Sequence, residues 1–237
     1  MHPIYLVFGL ARAISVSRTT AIPPPPTLSR DWSGVKHSGN GFTSVTGTVL
    51  IPTGGEGFGP SIWAGIDGSS ECPGGGLLQT GVRLTGNGSA FGWFEWVPLD
   101  APVFTSFSVS AGHEVKMTVV AYGPTNGSAM LDNLTTGQSV SHTFTRDEVP
   151  ADGPLCQKSA EWIVEDYNND GNNTGIVESP DYGSVTFYNA YTQNVEGKIT
   201  PVGGELIELF DTSTGTVLST CSVKDEDVDC QYVGPGQ

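Results

Sequence analysis

From Trp32 onward, apolar and polar positions alternate in short runs divided by Gly, Pro, Asn and Asp. Runs at 42–52, 61–67, 77–84, 91–97, 104–110 and 114–122 have this form. So do 128–134, 139–145, 160–167, 182–191, 206–211 and 217–223. Each reads as a strand, and no segment keeps an apolar period of 3.6 residues. The stretch "NLTTGQSVSHTF" (133–144) predicts a tight hairpin around Thr136-Gly137. Regular short strands with turns between them predict an all-β chain folded as a β-sandwich. With no fixed-period repeat and no internal linker, one domain is expected over 31–237.

Alternation also sorts side chains by face. In 77–84, Leu78, Thr80, Val82 and Leu84 form the core face. Leu77, Gln79, Gly81 and Arg83 take the other, so a neutral amide projects beside a glycine that leaves room. In 61–67, Trp63, Gly65 and Asp67 align. In 91–97, Gly92, Phe94 and Trp96 align, with Trp93 and Glu95 opposite. In 160–165, Glu161, Ile163 and Glu165 share the side away from Trp162. Isolated polar groups among aromatics, with few Lys or Arg, fit either a binding groove or a sandwich whose outer face is merely acidic. We expect Phe94 in that groove and Glu95 facing away from it.

Composition narrows the function. A net charge of -15 leaves no basic patch for a phosphate backbone, so no nucleic-acid partner is expected. A charge this negative self-repels at neutral pH and is relieved in acid. No run is long enough to span a bilayer, so no membrane partner is expected. The apolar run 4–10, "ARA" at 11–13 and the polyproline 22–27 make residues 1–30 a signal-like or residual pro-segment. The chain's 4 cysteines form no C-x-x-C pair, which favours two disulfides over a zinc site. Sequons start at Asn87, Asn126, Asn133 and Asn172. Together these features point to a secreted glycoprotein. "DEDVD" (225–229) lacks the spacing of a calcium loop and reads as a solvated loop.

Six stretches then occur in a specific order: "SIWAGIDG" (61–68), "LLQTGV" (77–82), "FEW" (94–96), "NLTTGQSVSHTF", "AEWIVEDY" (160–167) and "YGSVTF" (182–187). From about Trp32 to about Asn189 the chain resembles the fungal glutamic peptidases, the eqolisins. The resemblance implies two curved antiparallel sheets of concanavalin A-like or jelly-roll type, with peptide substrate lying across the concave face. It implies a secreted, monomeric endopeptidase acting in acid without metal or cofactor. Its catalytic pair falls on Gln79 and Glu161, both on the non-core faces assigned above. Trp63, Asp67, Phe94 and, on a shorter match, Trp32 fall on substrate-binding positions, and Glu165, on the strand face of Glu161, is expected to join them. Two residues depart from the pattern: Arg83 stands where Asp is common, and Phe94 where Tyr is common. A Cys72–Cys156 bridge would hold the two catalytic strands together, and Cys221–Cys230 would close a local loop. The other pairings are equally open by count.

The chemistry fits these residue types. Glu161 can take a water's proton and pass it to the leaving amine. Gln79 can donate to the oxyanion and stays neutral in acid. Three rivals use the same residues differently: a glycosidase working with Glu95 and Glu161, a carbohydrate-binding module stacking sugar on Trp63, Phe94 and Trp96, and a peptidase homologue without activity.

Overall fold

The structure is a computed structural model that describes residues 24–53, 59–85, 88–166 and 181–235. The apolar run 4–10 and the sequons at Asn87 and Asn172 lie outside the described residues. Among the described residues no helix forms.

The first eight strands are β1 (Thr27–Ser29), β2 (Trp32–Ser38), β3 (Ser44–Leu50), β4 (Ser61–Asp67), β5 (Leu77–Leu84), β6 (Ser89–Val97), β7 (Val109–Ser110) and β8 (Glu114–Gly123). The rest are β9 (Asn126–Asn133), β10 (Gln138–Phe144), β11 (Ser159–Glu165), β12 (Ser184–Asn194), β13 (Gly197–Ile199), β14 (Glu205–Asp211), β15 (Thr216–Lys224) and β16 (Asp227–Tyr232). All but β1 and β13 follow one hydrogen-bonded path, β10-β9-β8-β3-β12-β16-β15-β14-β2-β11-β4-β5-β6-β7, with β13 paired to β12. The two layers of the sandwich are therefore one sheet curled back on itself at β16, β15 and β14. Pairing along the path is antiparallel, while β1 joins β14 in parallel and places ordered pairing as early as Thr27.

Between the layers lies one continuous apolar core. Val35, Ile62, Ile66, Leu78, Val82 and Trp162 enter from one side, and Val45, Val49, Met117, Val119, Leu131 and Phe187 from the other. Two buried indoles have their polar ends satisfied, as burial requires. Trp162 Nε1 donates to Thr46 O at 2.8 Å, and Trp96 Nε1 donates to Gly153 O at 2.7 Å. A smaller cluster, Trp63, Leu77, Trp93, Ile163 and Ile207, sits on the opposite face of the first layer.

Several expectations change. The run 104–110 contributes only Val109–Ser110, because Phe107 N bonds back to Phe104 O in a turn. The acidic run 225–229 is not a solvated loop throughout. Asp225 and Glu226 make a turn with φ of 60° and 139°, and Asp227 onward forms β16. Asn133 is 1% exposed, and its amide bonds Ser108 O, His113 Nδ1 and the backbone N–H of Thr135 and Thr136. A glycan has no access to it in the fold. The disulfides are Cys72–Cys156 and Cys221–Cys230.

Candidate active site

The outer face of the first layer is organised in cross-strand rows. Directly opposed residues of an antiparallel pair point to the same side. The pairings Glu95↔Gln79, Gln79↔Gly65, Gly65↔Glu161, Glu161↔Lys36 and Lys36↔Glu205 form one such row. The next is Trp93, Gly81, Trp63, Ile163, Gly34 and Ile207. Beyond it lie Phe91, Arg83, Ser61, Glu165 and Trp32.

Gln79 and Glu161 thus flank a glycine on the strand between them. Two strand spacings separate their backbones by roughly 10 Å, which leaves room for a peptide group and a water. Gly65 is needed there. A Cβ at that position would lie 2.9 Å from Trp63 Cζ3, 3.0 Å from Leu77 Cδ1 and 3.3 Å from Gln79 Cβ.

A cleft of about 530 Å³ opens over one end of these rows. Gln79, Glu95, Arg83, Trp32, Trp93 and Glu165 line it, with the segment 97–103 along one side. Gln79 is 5% exposed and Glu161, two strands further along the row, is fully buried. Gln79 Nε2 donates to Glu95 Oε2 at 2.5 Å. When Glu95 is ionised its carboxylate only accepts, which turns the Gln79 amide nitrogen toward it. Among the described residues, Gln79 Oε1 and both oxygens of Glu161 have no hydrogen-bond partner.

Burial drives the electrostatics. It pushes the Glu161 carboxyl well above the usual range, and the carboxylates of Asp67 and Glu71 add to the rise. The nearby Ser159 hydroxyl and the Lys36 ammonium favour the charged form. Burial raises Glu165 to about 7, although it accepts a hydrogen bond from Trp63 Nε1 at 2.7 Å. Burial also raises Glu95, with Gln79 opposing and Asp100 adding. Asp166 rises to about 6 by burial and the charge of Asp31, opposed by Arg83.

Trp32 meets Trp63 edge-on at 5.0 Å between ring centroids, so both belong to the aromatic end of the site. Asp67 has a different place. Its carboxylate accepts from the backbone N–H of Gln157 and Lys158 at 2.7 Å each and of Ser159 at 3.2 Å. Fully buried, with φ of 68°, it ties the end of β4 to the start of β11 and does not reach the cleft.

Phe94 is a correction. It pairs with Thr80, on the face opposite Gln79, stacks on His142 at 4.4 Å and packs against the main core. The large set Phe94 and Trp96 fills the core, so Trp93 and Glu95 take the cleft face. Sequence reasoning missed Glu95 as a partner of Gln79 for this reason. The core-facing set of β5, carried across to β6, would have found it. Lys36 was also missed, because Gly34 and Lys36 hide the alternation of β2.

A fully buried carboxyl thus stands in register with a buried amide beside an aromatic-lined cleft. The chain belongs to the Peptidase A4 family, whose sequence profile matches residues 30–232. It is 35% identical over 230 residues to aspergillopepsin-2 of Aspergillus niger, covering 86% of this chain and 78% of that one. Against scytalidopepsin B of Scytalidium lignicola it is 33% identical over 215 residues, covering 87% and 79%. The fold is similar to scytalido-glutamic peptidase solved with a transition state analog inhibitor, with a TM-score of 0.76 and 29% identity over 86% of this chain and 98% of that one. Aspergilloglutamic peptidase from Aspergillus niger superposes with a TM-score of 0.65 and 38% identity, covering 75% and 100%. The protein is a glutamic-type peptidase, a hydrolase of peptide bonds.

Proposed function

We propose that the protein is a secreted endopeptidase that cleaves protein substrates in acid, with Glu161 and Gln79 as its catalytic pair. The observation that carries this reading is the row Gln79–Gly65–Glu161, which faces an amide and a carboxyl across one empty glycine position. Gln79 Oε1 and the Glu161 oxygens are the acceptors with capacity to hold the attacking water. Ionised Glu161 takes a proton from that water as its oxygen bonds to the scissile carbonyl carbon. The second N–H of Gln79 Nε2 donates to the carbonyl oxygen as it becomes an oxyanion. Glu161 then returns the proton to the amide nitrogen as the C–N bond breaks.

Trp32, Trp93 and Phe91 supply apolar surface along the cleft for substrate side chains. The glycosidase reading loses support from the same row. Glu95 and Glu161 stand three strand spacings apart, roughly 14 Å between backbones. Gln79 stands between them and engages Glu95 with its Nε2 donor. Secretion rests on the signal-like run, the paired cysteines and the acidic composition.

Cleavage of a denatured protein tests the reading, followed from about pH 2 to 7 with a pepstatin-type inhibitor and a chelator as controls. Cleavage in acid that neither agent suppresses is expected, rising with pH as Glu161, held above the ordinary carboxylate range by burial, ionises. Absence of cleavage in acid, or loss of it with either agent, would overturn the proposal.

A further inference from the structure

Lys36 is a lysine 7% exposed, set directly opposite Glu161 on the neighbouring strand. A buried ammonium is costly unless it is paired. Its Nζ lies 2.8 Å from Glu71 Oε1 and 3.1 Å from Glu205 Oε2. Glu71 also accepts from Ser38 Oγ at 2.6 Å and from Ser69 Oγ at 2.6 Å. Ser69 Oγ in turn meets Ser159 Oγ at 2.7 Å, two residues from Glu161. The chain between β4 and β5 is therefore pinned over the Glu161 end of the row.

We propose that Lys36 is a positioning residue for catalysis, whose fixed ammonium stabilises the ionised carboxylate of Glu161. The proposal rests on Glu161 being the acid–base group. Asp67 from β4, Glu71 from the β4–β5 connection and Glu205 from β14 bring carboxyls, β5 brings neutral Gln79, and Glu165 lies further along β11 itself. Lys36 is the cation of this set, and its charge favours the ionised form of Glu161. Burial works against the ammonium, but Glu71 and Glu205 overcompensate and hold it above its usual range. Glu71 is brought to about 2 by Lys36, Ser38 and Ser69 against its own burial, so this pair stays charged in acid. A base that must ionise at low pH while shut away from water gains most from such a neighbour.

The test compares pH profiles of kcat/KM for wild type, Lys36→Met, Lys36→Arg and Glu71→Gln. Lys36→Met is expected to move the acid limb up by about one pH unit, so that activity below it falls about tenfold. Lys36→Arg restores most of the wild-type profile. Glu71→Gln removes a negative charge and moves the limb down. A bridge that only braced the fold would lower activity in Lys36→Met and Glu71→Gln at every pH, without opposed shifts, and that result overturns the proposal. Titration of Glu161 by carboxyl carbon NMR in the Gln79→Ala protein, with and without Lys36→Met, reads the same effect without cleavage. A higher titration midpoint on losing Lys36 supports the proposal, and an unchanged midpoint refutes it. Full activity in Glu161→Gln would instead refute the underlying mechanism.

Discussion

Glu165→Gln is expected to make the protein's stability less dependent on pH. Glu165 is buried beside Trp63 and Trp32, and its carboxyl titrates at about 7 in the fold against 4.5 for a free glutamate. Between those values the native state keeps a proton that the unfolded chain has released. Stability therefore falls as pH rises. The contribution is fully present below about pH 4.5 and is lost as pH passes through about 7. The difference between 4.5 and about 7, at about 1.4 kcal/mol per pH unit, is roughly 3 kcal/mol.

Glutamine keeps an oxygen to accept from Trp63 Nε1 and never ionises. Urea unfolding of both proteins near pH 4 and near pH 8 isolates this share. The two should match in acid, and the variant should be more stable by roughly 3 kcal/mol in mild base. Glu161 and Asp166, whose carboxyls are also raised, keep some decline in the variant. Below about pH 4.5 the lowered carboxyl of Glu71 acts in the other sense, so wild-type stability should peak in mild acid. Parallel curves for the two proteins would refute the reasoning.

Other consequences concern the scaffold. Asp67→Ala removes a fully buried carboxylate that holds three backbone donors and should cost about 3 kcal/mol in urea unfolding, whereas a residue serving only substrate would leave stability unchanged. Replacing Cys72 and Cys156 by Ala opens a loop spanning 84 residues and should cost about 4.5 kcal/mol on the chain-entropy account, read by the same assay. Gly65→Ala puts a methyl against Trp63, Leu77 and Gln79. It should lower kcat more than a stability loss of about 1–3 kcal/mol accounts for, and unchanged kcat would show that Gln79 tolerates displacement.

Where one face of a strand is plainly apolar, its sequence was legible. β4 and β5 begin and end at the residues that alternation marked, and the sides of Gln79 and Glu161 came out correctly. Alternation alone does not choose between faces when both carry aromatics, and β6 shows this. Its Phe94 and Trp96 met the core while Trp93 and Glu95 took the cleft. β2 was hidden for the opposite reason. A lysine in a buried strand reads as solvent-exposed until its two carboxylate partners, 35 and 169 residues away, are seen beside it. Asn133 matched a sequon, but only the turn it holds together shows why its amide is unavailable. Register and ion pairing are set by contacts between distant segments, and local pattern carries little of them.

The central claim is that Glu161 does the proton transfer with Gln79 facing it. The most direct test is kcat/KM of Glu161→Gln at the wild-type optimum, with circular dichroism confirming the fold. Glutamine fills nearly the same volume and cannot exchange a proton in this range. The account predicts a fall of about 10²–10⁴-fold. Retention of wild-type kcat/KM by a folded Glu161→Gln protein would contradict it.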